Sequence, residues 1–288
     1  MNKPVIGITG TSGFVGSALV EYFTDKGFPI ICLSRSSAKK HNSRYYDMEQ
    51  PVPEDLLKGI DILIHCAFIK LDENIDAEKI NYEASRNLFF HPSGHALKKK
   101  IFFSTVSAHD HAVSSYGRGK YAAEHLFEDT DVILKCGLIV GEGGMFKQIF
   151  DHALTKRIIP LLDSGIQPMQ VIALEDVLKS VDTIITNDLK GKFVLANNDD
   201  LNYREFFTTI AKLYNRSFMF IPIPVPILRI LTRISNVLGI KLPFTKENIS
   251  GLQALKKLDA HESLGKLNLQ PKAFSEILLY LKRKSTKS

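Results

Sequence analysis

The stretch Val5-Ile6-Gly7-Ile8-Thr9-Gly10-Thr11-Ser12-Gly13-Phe14-Val15-Gly16 decides the reading of this chain. Val5–Thr9 is a β-rich apolar run. Phe14–Lys26 predicts a helix, with Leu19, Val20 and Phe23 on one face and Gly27 as its stop. Three glycines lie at the junction, where the first permits a tight turn and the second lets the backbone approach a pyrophosphate. The third allows close helix–sheet packing. N–H groups of a first helical turn, together with the helix dipole, favour phosphate. Gly10, Thr11, Ser12, Gly13, Phe14, Val15 and Gly16 are therefore candidate dinucleotide-binding residues.

Outward from this point the first half alternates strand-like and helix-like segments. Strands are predicted over Pro29–Leu33, Arg44–Tyr46, Asp61–Ala67, Lys100–Ser104 and Val132–Val140. Helices are predicted over Pro53–Lys58, Ala77–Phe90 and Tyr116–Phe127. Continuous apolar strands between helices mark a parallel sheet covered on both faces. The expected fold class is α/β, a doubly wound parallel sheet with a small C-terminal α/β lobe. After Gly141 the pattern loosens, with helices over Met145–Thr155, Glu175–Thr186 and Tyr203–Tyr214 and strands over Val171–Leu174 and Lys192–Ala196. Phe218–Pro226 reads as extended and proline-spaced. The expected division is a nucleotide-binding domain over 1–165, with a returning strand and helix near 170–197, and mainly a substrate lobe over 198–288. Ile227–Leu238 predicts a helix with intermixed apolar and basic residues, which fits a lobe wall or a helix lying on a membrane surface.

The chain has 288 residues, 44% hydrophobic and 24% charged, as in an ordinary globular protein that can bury a core. Its net charge of +6 fits a solvated surface that favours anionic small molecules, rather than a nucleic-acid partner. Cys32, Cys66 and Cys136 are odd in number and lack metal-ligand spacing, so no disulfide framework and no metal site is expected. Buried thiols, the absence of a signal peptide pattern and the lack of a membrane-spanning run together predict a cytoplasmic protein without membrane insertion.

The second strand ends Cys32-Leu33-Ser34-Arg35-Ser36. An acidic residue at this place meets a ribose diol; here Ser34 and Arg35 stand instead, and an arginine can pair with a 2′-phosphate. NADP is the expected cofactor, with NAD open. Asp47, behind the third strand, can meet an adenine amino group or serve as a turn residue. Tyr116 and Lys120 are four apart and share a helix face. A phenol can give or take the proton at a carbon that gains or loses hydride, and a nearby ammonium lowers its pKa. Ser104, Thr105 and Ser107 offer hydroxyls on the preceding strand end.

Together these residues resemble the extended branch of the short-chain dehydrogenase/reductase superfamily, the NAD(P)-dependent epimerase/dehydratase group with its Rossmann-type domain. The resemblance rests on Thr9–Gly16, on His65-Cys66-Ala67, and on Asn81–Leu88, where Ala84 and Ser85 replace Gly-Thr. It also rests on Ser104-Thr105, on Tyr116 with Lys120, and on Lys135–Gly141. Val171–Val177 and Ser263–Leu267 with Pro271 complete it, the last without the family's aromatic.

The resemblance implies that Tyr116 is the acid/base, that Lys120 tunes it and binds the ribose, and that Thr105 is the catalytic hydroxyl, with Ser107 as the alternative. It adds His65, Cys66, Ala67, Asn81 and Ser104 to the cofactor side, beside Tyr116 and Lys120. On the substrate side it puts Ser107, Gly143, Gly144, Met145 and Phe146, with Arg157 and Pro160–Gln170 toward a nucleotide.

The implied activity is oxidation or reduction of a nucleotide-activated sugar, as a 4-epimerase or a 4-keto reductase, in a possible homodimer. The short chain and the missing acidic residues after Ser104-Thr105 argue against a dehydratase. Ile221–Pro226 and Pro243-Phe244 resemble segments of bacterial relatives that serve surface-polysaccharide synthesis. A non-catalytic NADP sensor and a reductase of a non-sugar carbonyl compound remain as alternatives.

Overall fold

In a computed structural model, residues 3–35, 42–69, 76–227 and 246–285 are described. Seven parallel strands form the main sheet: β1 (Ile6–Thr9), β2 (Ile30–Ser34), β3 (Asn42–Tyr45), β4 (Ile62–His65), β5 (Lys99–Thr105), β6 (Val132–Cys136) and β10 (Gly191–Leu195). Their order is β10-β6-β5-β4-β1-β2-β3. The chain winds outward from β1 to β3, then returns and winds the other way from β4. The carboxyl ends of β1 and β4 therefore border the crevice where the winding reverses, the place at which such sheets bind ligands.

Each face of the sheet is covered by helices. Against one face, α1 (Phe14–Asp25) and α5 (Leu174–Thr186) bury Leu19, Phe23, Val177, Val181 and Ile184 over Ile6, Ile8, Ile64 and Leu134. Against the other, α2 (Ala77–Phe89) and α3 (Ser115–Glu124) pack Leu88, Phe89 and Ala123 on Leu33, Leu63, Phe102 and Ile133. Successive strand side chains alternate between these cores, so the strands read as unbroken apolar runs.

A separate cluster gathers the later elements: α4 (Gly144–Thr155), β8 (Ile158–Leu162), β9 (Val171–Ala173), α6 (Tyr203–Leu213) and α9 (Phe274–Ser285). Its centre is aromatic, with Phe206 and Phe274 stacked at 4.6 Å. β11 (Met219–Ile223) pairs with β8. The short helix α7 (Lys246–Gln253) packs Ile249 with Leu162 and Val225. α8 (His261–Lys266) returns the chain to the main sheet, where Ser263 Oγ accepts the Val194 N–H at 2.9 Å and Leu267 enters the first core.

Several elements differ from the sequence reading. Pro53–Lys58 forms successive turns rather than a helix, and Arg44 Nη1 caps the carbonyls of Asp55, Leu56 and Lys58 at 3.1, 2.7 and 2.7 Å. The strand expected over Val132–Val140 is two strands, β6 and β7 (Leu138–Val140), broken at Gly137. There the chain leaves β5 and β10 to pair with β9. Strand β8 has no counterpart among the predicted elements. Of the helix expected over Ile227–Leu238 only Ile227 is described, and Pro243-Phe244 lies outside the described residues. Among the described residues, no helix is long and apolar enough to cross a membrane.

Gly137 is where the topology has no room. A Cβ there would lie 2.5 Å from the Gln170 carbonyl oxygen and 2.8 Å from its carbon, both backbone. Gly137→Ala is expected to destabilise the fold by roughly 1–3 kcal/mol through overpacking, read as a lowered urea midpoint with an unchanged slope.

Candidate active site

The carboxyl ends of β1, β4 and β5 and the starts of α1, α3 and α4 converge on one rim of the sheet. Gly10 adopts φ +69°, and a Cβ on it would lie 2.8 Å from the Ala67 nitrogen. A Cβ on Gly16 would overlap the Gly10 carbonyl oxygen at 2.2 Å, whereas one on Gly13 would meet nothing nearer than that oxygen at 3.2 Å. The first and third glycines are thus required by the protein's own packing, and Gly13, exposed at the start of α1, is not. No side chain caps the first turn of α1, in contrast to α2 and α3, which are capped by Asp76 and Ser114. The uncapped amides behind a glycine cradle suit a pyrophosphate, so the residues present fit a dinucleotide.

Phe14 lines the other side of this cradle. Cβ atoms on Gly141, Gly143 or Gly144 would fall 2.7, 2.5 and 2.7 Å from its ring, so the glycine turn after β7 wraps that ring. Ser34 and Arg35 close β2, with Arg35 exposed.

Thr9, His65, Ser85 and Asn81 form a buried chain that joins β1, β4 and α2. Thr9 Oγ1 accepts the Cys66 and Ala67 N–H groups, both at 3.1 Å. Its own hydrogen is left for His65 Nδ1 at 2.9 Å. That places the His65 proton on Nε2, which donates to Ser85 Oγ at 3.3 Å, and Ser85 donates to the Asn81 carbonyl at 2.7 Å. Burial, with the Lys120 ammonium nearby, pushes His65 down to about 3, so the imidazole is neutral. The Asn81 side chain holds the backbone of Ile69 and Ala77. These residues shape this rim of the sheet through the backbone.

The catalytic candidates lie on α3. The Thr105 side chain, at the end of β5, lies close enough to Tyr116 to act on its phenol, and Thr105 Oγ1 accepts the Ser107 N–H at 3.2 Å. Of the candidate hydroxyls, Thr105 is therefore the one brought to the phenol. Lys120 Nζ donates to the Phe103 carbonyl at 2.7 Å and lies 4.8 and 4.6 Å from the ring centres of Phe68 and Phe102. Burial pushes Lys120 down to about 8 and Tyr116 up to about 12, the second aided by the Cys136 thiol. The expected lowering of the phenol by the ammonium is not seen: burial is the leading influence on Tyr116 and raises it.

Other candidates take different places. Ser104 Oγ donates to Glu124 Oε1 at 2.5 Å, on the α3 side of the strand, so its hydroxyl is not offered to a cofactor. Asp47 accepts the Glu49 N–H at 3.1 Å, as a turn residue does. Gly143 caps α4, and Met145 behind it is exposed. Phe146 is core, 5.5 Å from Phe150. Exposed Arg157 precedes β8, where its carbonyl accepts the Met219 N–H at 2.7 Å. Gln170 clamps Leu258 through both amide atoms at 2.8 and 2.9 Å.

Three contributors escaped the sequence reading: Phe68, Glu124 and Lys135. Glu124 follows Lys120 by four residues on the same face, a signal that was available. Its fully buried carboxylate also meets Lys135 Nζ at 3.3 Å, which in turn donates to the Ala108 carbonyl.

The family model described as the NAD dependent epimerase/dehydratase family matches residues 6–196. The chain belongs to that family. No curated protein matches it. Among solved structures, it is similar to the UDP-N-acetylglucosamine 4-epimerase from Bacillus cereus, at 18% identity over 97% of each chain with a TM-score of 0.72. It is also similar to a UDP-glucose 4-epimerase with UDP-glucose from Thermotoga maritima, at 17% identity over 98% of this chain and 99% of that one, TM-score 0.72. A UDP-glucuronic acid 4-epimerase from Bacillus cereus in complex with NAD aligns at 17% identity over 87% and 96%, TM-score 0.62. At these identities the likeness is one of fold, and it places this chain's seven-stranded sheet among those structures.

Two measurements check the site's electrostatics. The Tyr116 phenol, ordinarily ionising near 10, is pushed up to about 12 by burial. An ultraviolet pH titration of the parent minus Tyr116→Phe is expected to show no phenolate between these values. The folded state holds this proton more tightly than the unfolded chain, so Tyr116's contribution to stability falls as pH rises from about 10 to about 12. Ser104→Ala leaves the buried Glu124 carboxylate short of a donor and is expected to cost about 1–3 kcal/mol in urea unfolding.

Proposed function

We propose that this protein is an NAD(P)-dependent oxidoreductase that works on a nucleotide-activated sugar, at a carbon that alternates between hydroxyl and carbonyl. The observation that carries the reading is Tyr116 placed beside Thr105 at the rim of the sheet, with Lys120 one helical turn further along α3. Family membership and the nucleotide-sugar enzymes among the similar folds support the substrate class. The Gly10, Gly13 and Gly16 cradle and the first-turn amides of α1 would hold the dinucleotide, with Arg35 toward a 2′-phosphate. When bound, that dinucleotide supplies and recovers a hydride.

The chain's own residues handle the proton. In the reducing direction Tyr116 gives its phenolic proton to the substrate carbonyl oxygen; in the oxidising direction the phenolate takes the proton from the substrate hydroxyl. Thr105 holds the substrate oxygen beside the phenol. Lys120 provides the positive charge that makes the phenolate accessible. Gly143 and Met145, at the start of α4, stand on the substrate side, and Arg157 remains a candidate for the nucleotide.

Arg35, without an acidic neighbour at the end of β2, favours NADPH and hence a 4-keto reductase over an epimerase that keeps its NAD. A single substitution separates the two. Arg35→Ser is expected to weaken NADPH binding at least about tenfold while leaving NADH binding within twofold, the loss of one charge-assisted phosphate contact. Tyr116→Phe is expected to lower turnover of a UDP-4-keto sugar or UDP-sugar about 10²–10⁴-fold with dinucleotide binding retained. Undiminished turnover in this variant would remove Tyr116 from the chemistry. Stoichiometric NAD released on denaturing the purified protein would favour the epimerase.

A further inference from the structure

Phe68 lies just beyond the end of β4, and its backbone is pinned on both sides. Before it, the Cys66 and Ala67 N–H groups donate to Thr9 Oγ1 at 3.1 Å. After it, Asn81 accepts the Ile69 N–H at 2.8 Å and donates to the Ile69 carbonyl at 3.0 Å. With both neighbours held, the direction of the Phe68 side chain is a property of the fold.

That direction is toward the catalytic candidates. The Phe68 ring meets the Tyr116 ring edge-on, with centroids 5.0 Å apart and planes at 84°. Lys120 Nζ lies 4.8 Å from the Phe68 ring centre and 4.6 Å from that of Phe102. Phe102 is committed to the core, against Phe89 and Phe127, whereas Phe68 is half-buried and reaches both α3 residues. An ammonium has three hydrogens to place. Lys120 has the Phe103 carbonyl at 2.7 Å for one, and the negative faces of the two rings compensate its charge further.

We propose that Phe68 is a positioning residue of this active site: with Phe102 it cages the Lys120 ammonium, and its edge contact holds the Tyr116 ring against Thr105. This rests on the function proposed above. Phe68 acts on Lys120 in two opposed ways. Its π face favours the charged ammonium, and its bulk excludes water and so disfavours charge. The other ionisable groups around the ammonium are His65 at the end of β4, Cys66 just beyond it, Cys136 from β6 and Glu124 from α3. Burial keeps both thiols protonated and His65 neutral, leaving the Glu124 carboxylate as the formal negative charge among them.

The two effects separate by substitution. Phe68→Leu keeps the bulk and loses the π face. Phe68→Ala loses both, and the entry of water outweighs the lost ring because burial is the main cause of the Lys120 shift. Phe68→Tyr keeps both. The test is a pH titration of the full chain by NMR with ¹³Cε-labelled lysine, the Lys120 signal being assigned by its loss in Lys120→Met. The parent is expected to titrate at about 8. Phe68→Leu is expected to fall by about half to one pH unit, Phe68→Ala to rise toward the ordinary lysine value, and Phe68→Tyr to match the parent.

Equal values in the parent and Phe68→Leu, or shifts of the same sign in Leu and Ala, would overturn the cage. If Phe68→Ala fails to fold, as judged by thermal melting, the Leu and Tyr variants decide. NADPH and NADH binding, followed by fluorescence on the same samples, separates this inference from the function it rests on. A parent that binds neither, with the expected Lys120 titrations, keeps the cage and overturns the dinucleotide reading.

Discussion

Three successive turns of α3 are fastened to one end of β5. Tyr116 meets the Thr105 hydroxyl, Lys120 the Phe103 carbonyl and Glu124 the Ser104 hydroxyl. The spacing i, i+4, i+8 puts all three side chains on one helix face, toward the end of β5. Burying an ammonium and a carboxylate costs free energy unless both are compensated, so α3 has little freedom to slide or rotate on the sheet. The acid/base candidate and its partner hydroxyl are held in register by the same contacts that seat the helix.

Beside α3, the ends of β1 and β4 and helix α2 are joined without charge. The Thr9–His65–Ser85–Asn81 chain uses neutral groups throughout, and each donor and acceptor along it has an assigned partner. It ties the ends of β1 and β4, the two strands that flank the reversal of winding, and presents Ala67 against Gly10. Neutral packing at the glycine cradle and buried charge along α3 meet at Phe68, which the first network holds and which touches the second.

Much of this was readable from residue order. The glycine string behind a strand, the alternation of apolar strands with helices, and the Tyr116–Lys120 spacing are local signals with one physical meaning each. The family match and the similar folds agree with the class they imply. Other residues carried a motif whose role only contacts reveal. Asn81 and His65 belong to recognisable stretches, yet their side chains serve the backbone of Ile69 and the hydroxyls of Thr9 and Ser85. Ser104 and Thr105 are adjacent and chemically alike, but Ser104 donates to Glu124 whereas Thr105 accepts the Ser107 N–H and lies beside Tyr116.

By itself, then, the sequence determined the class of sheet, the position of the glycine turn behind β1 and the helix that carries both Tyr116 and Lys120, because periodicity and short spacings act within a few residues along the chain. Tertiary structure alone decided which hydroxyl meets the phenol, where the chain breaks β6 from β7, and what surrounds Lys120. Those outcomes depend on strands and helices far apart in sequence: Phe68 and Phe102 close on an ammonium at 120, and Gly137 yields to a carbonyl at 170. The direction of the Tyr116 and Lys120 shifts also belongs to this level, since burial is their leading cause and it is set by packing of the whole rim.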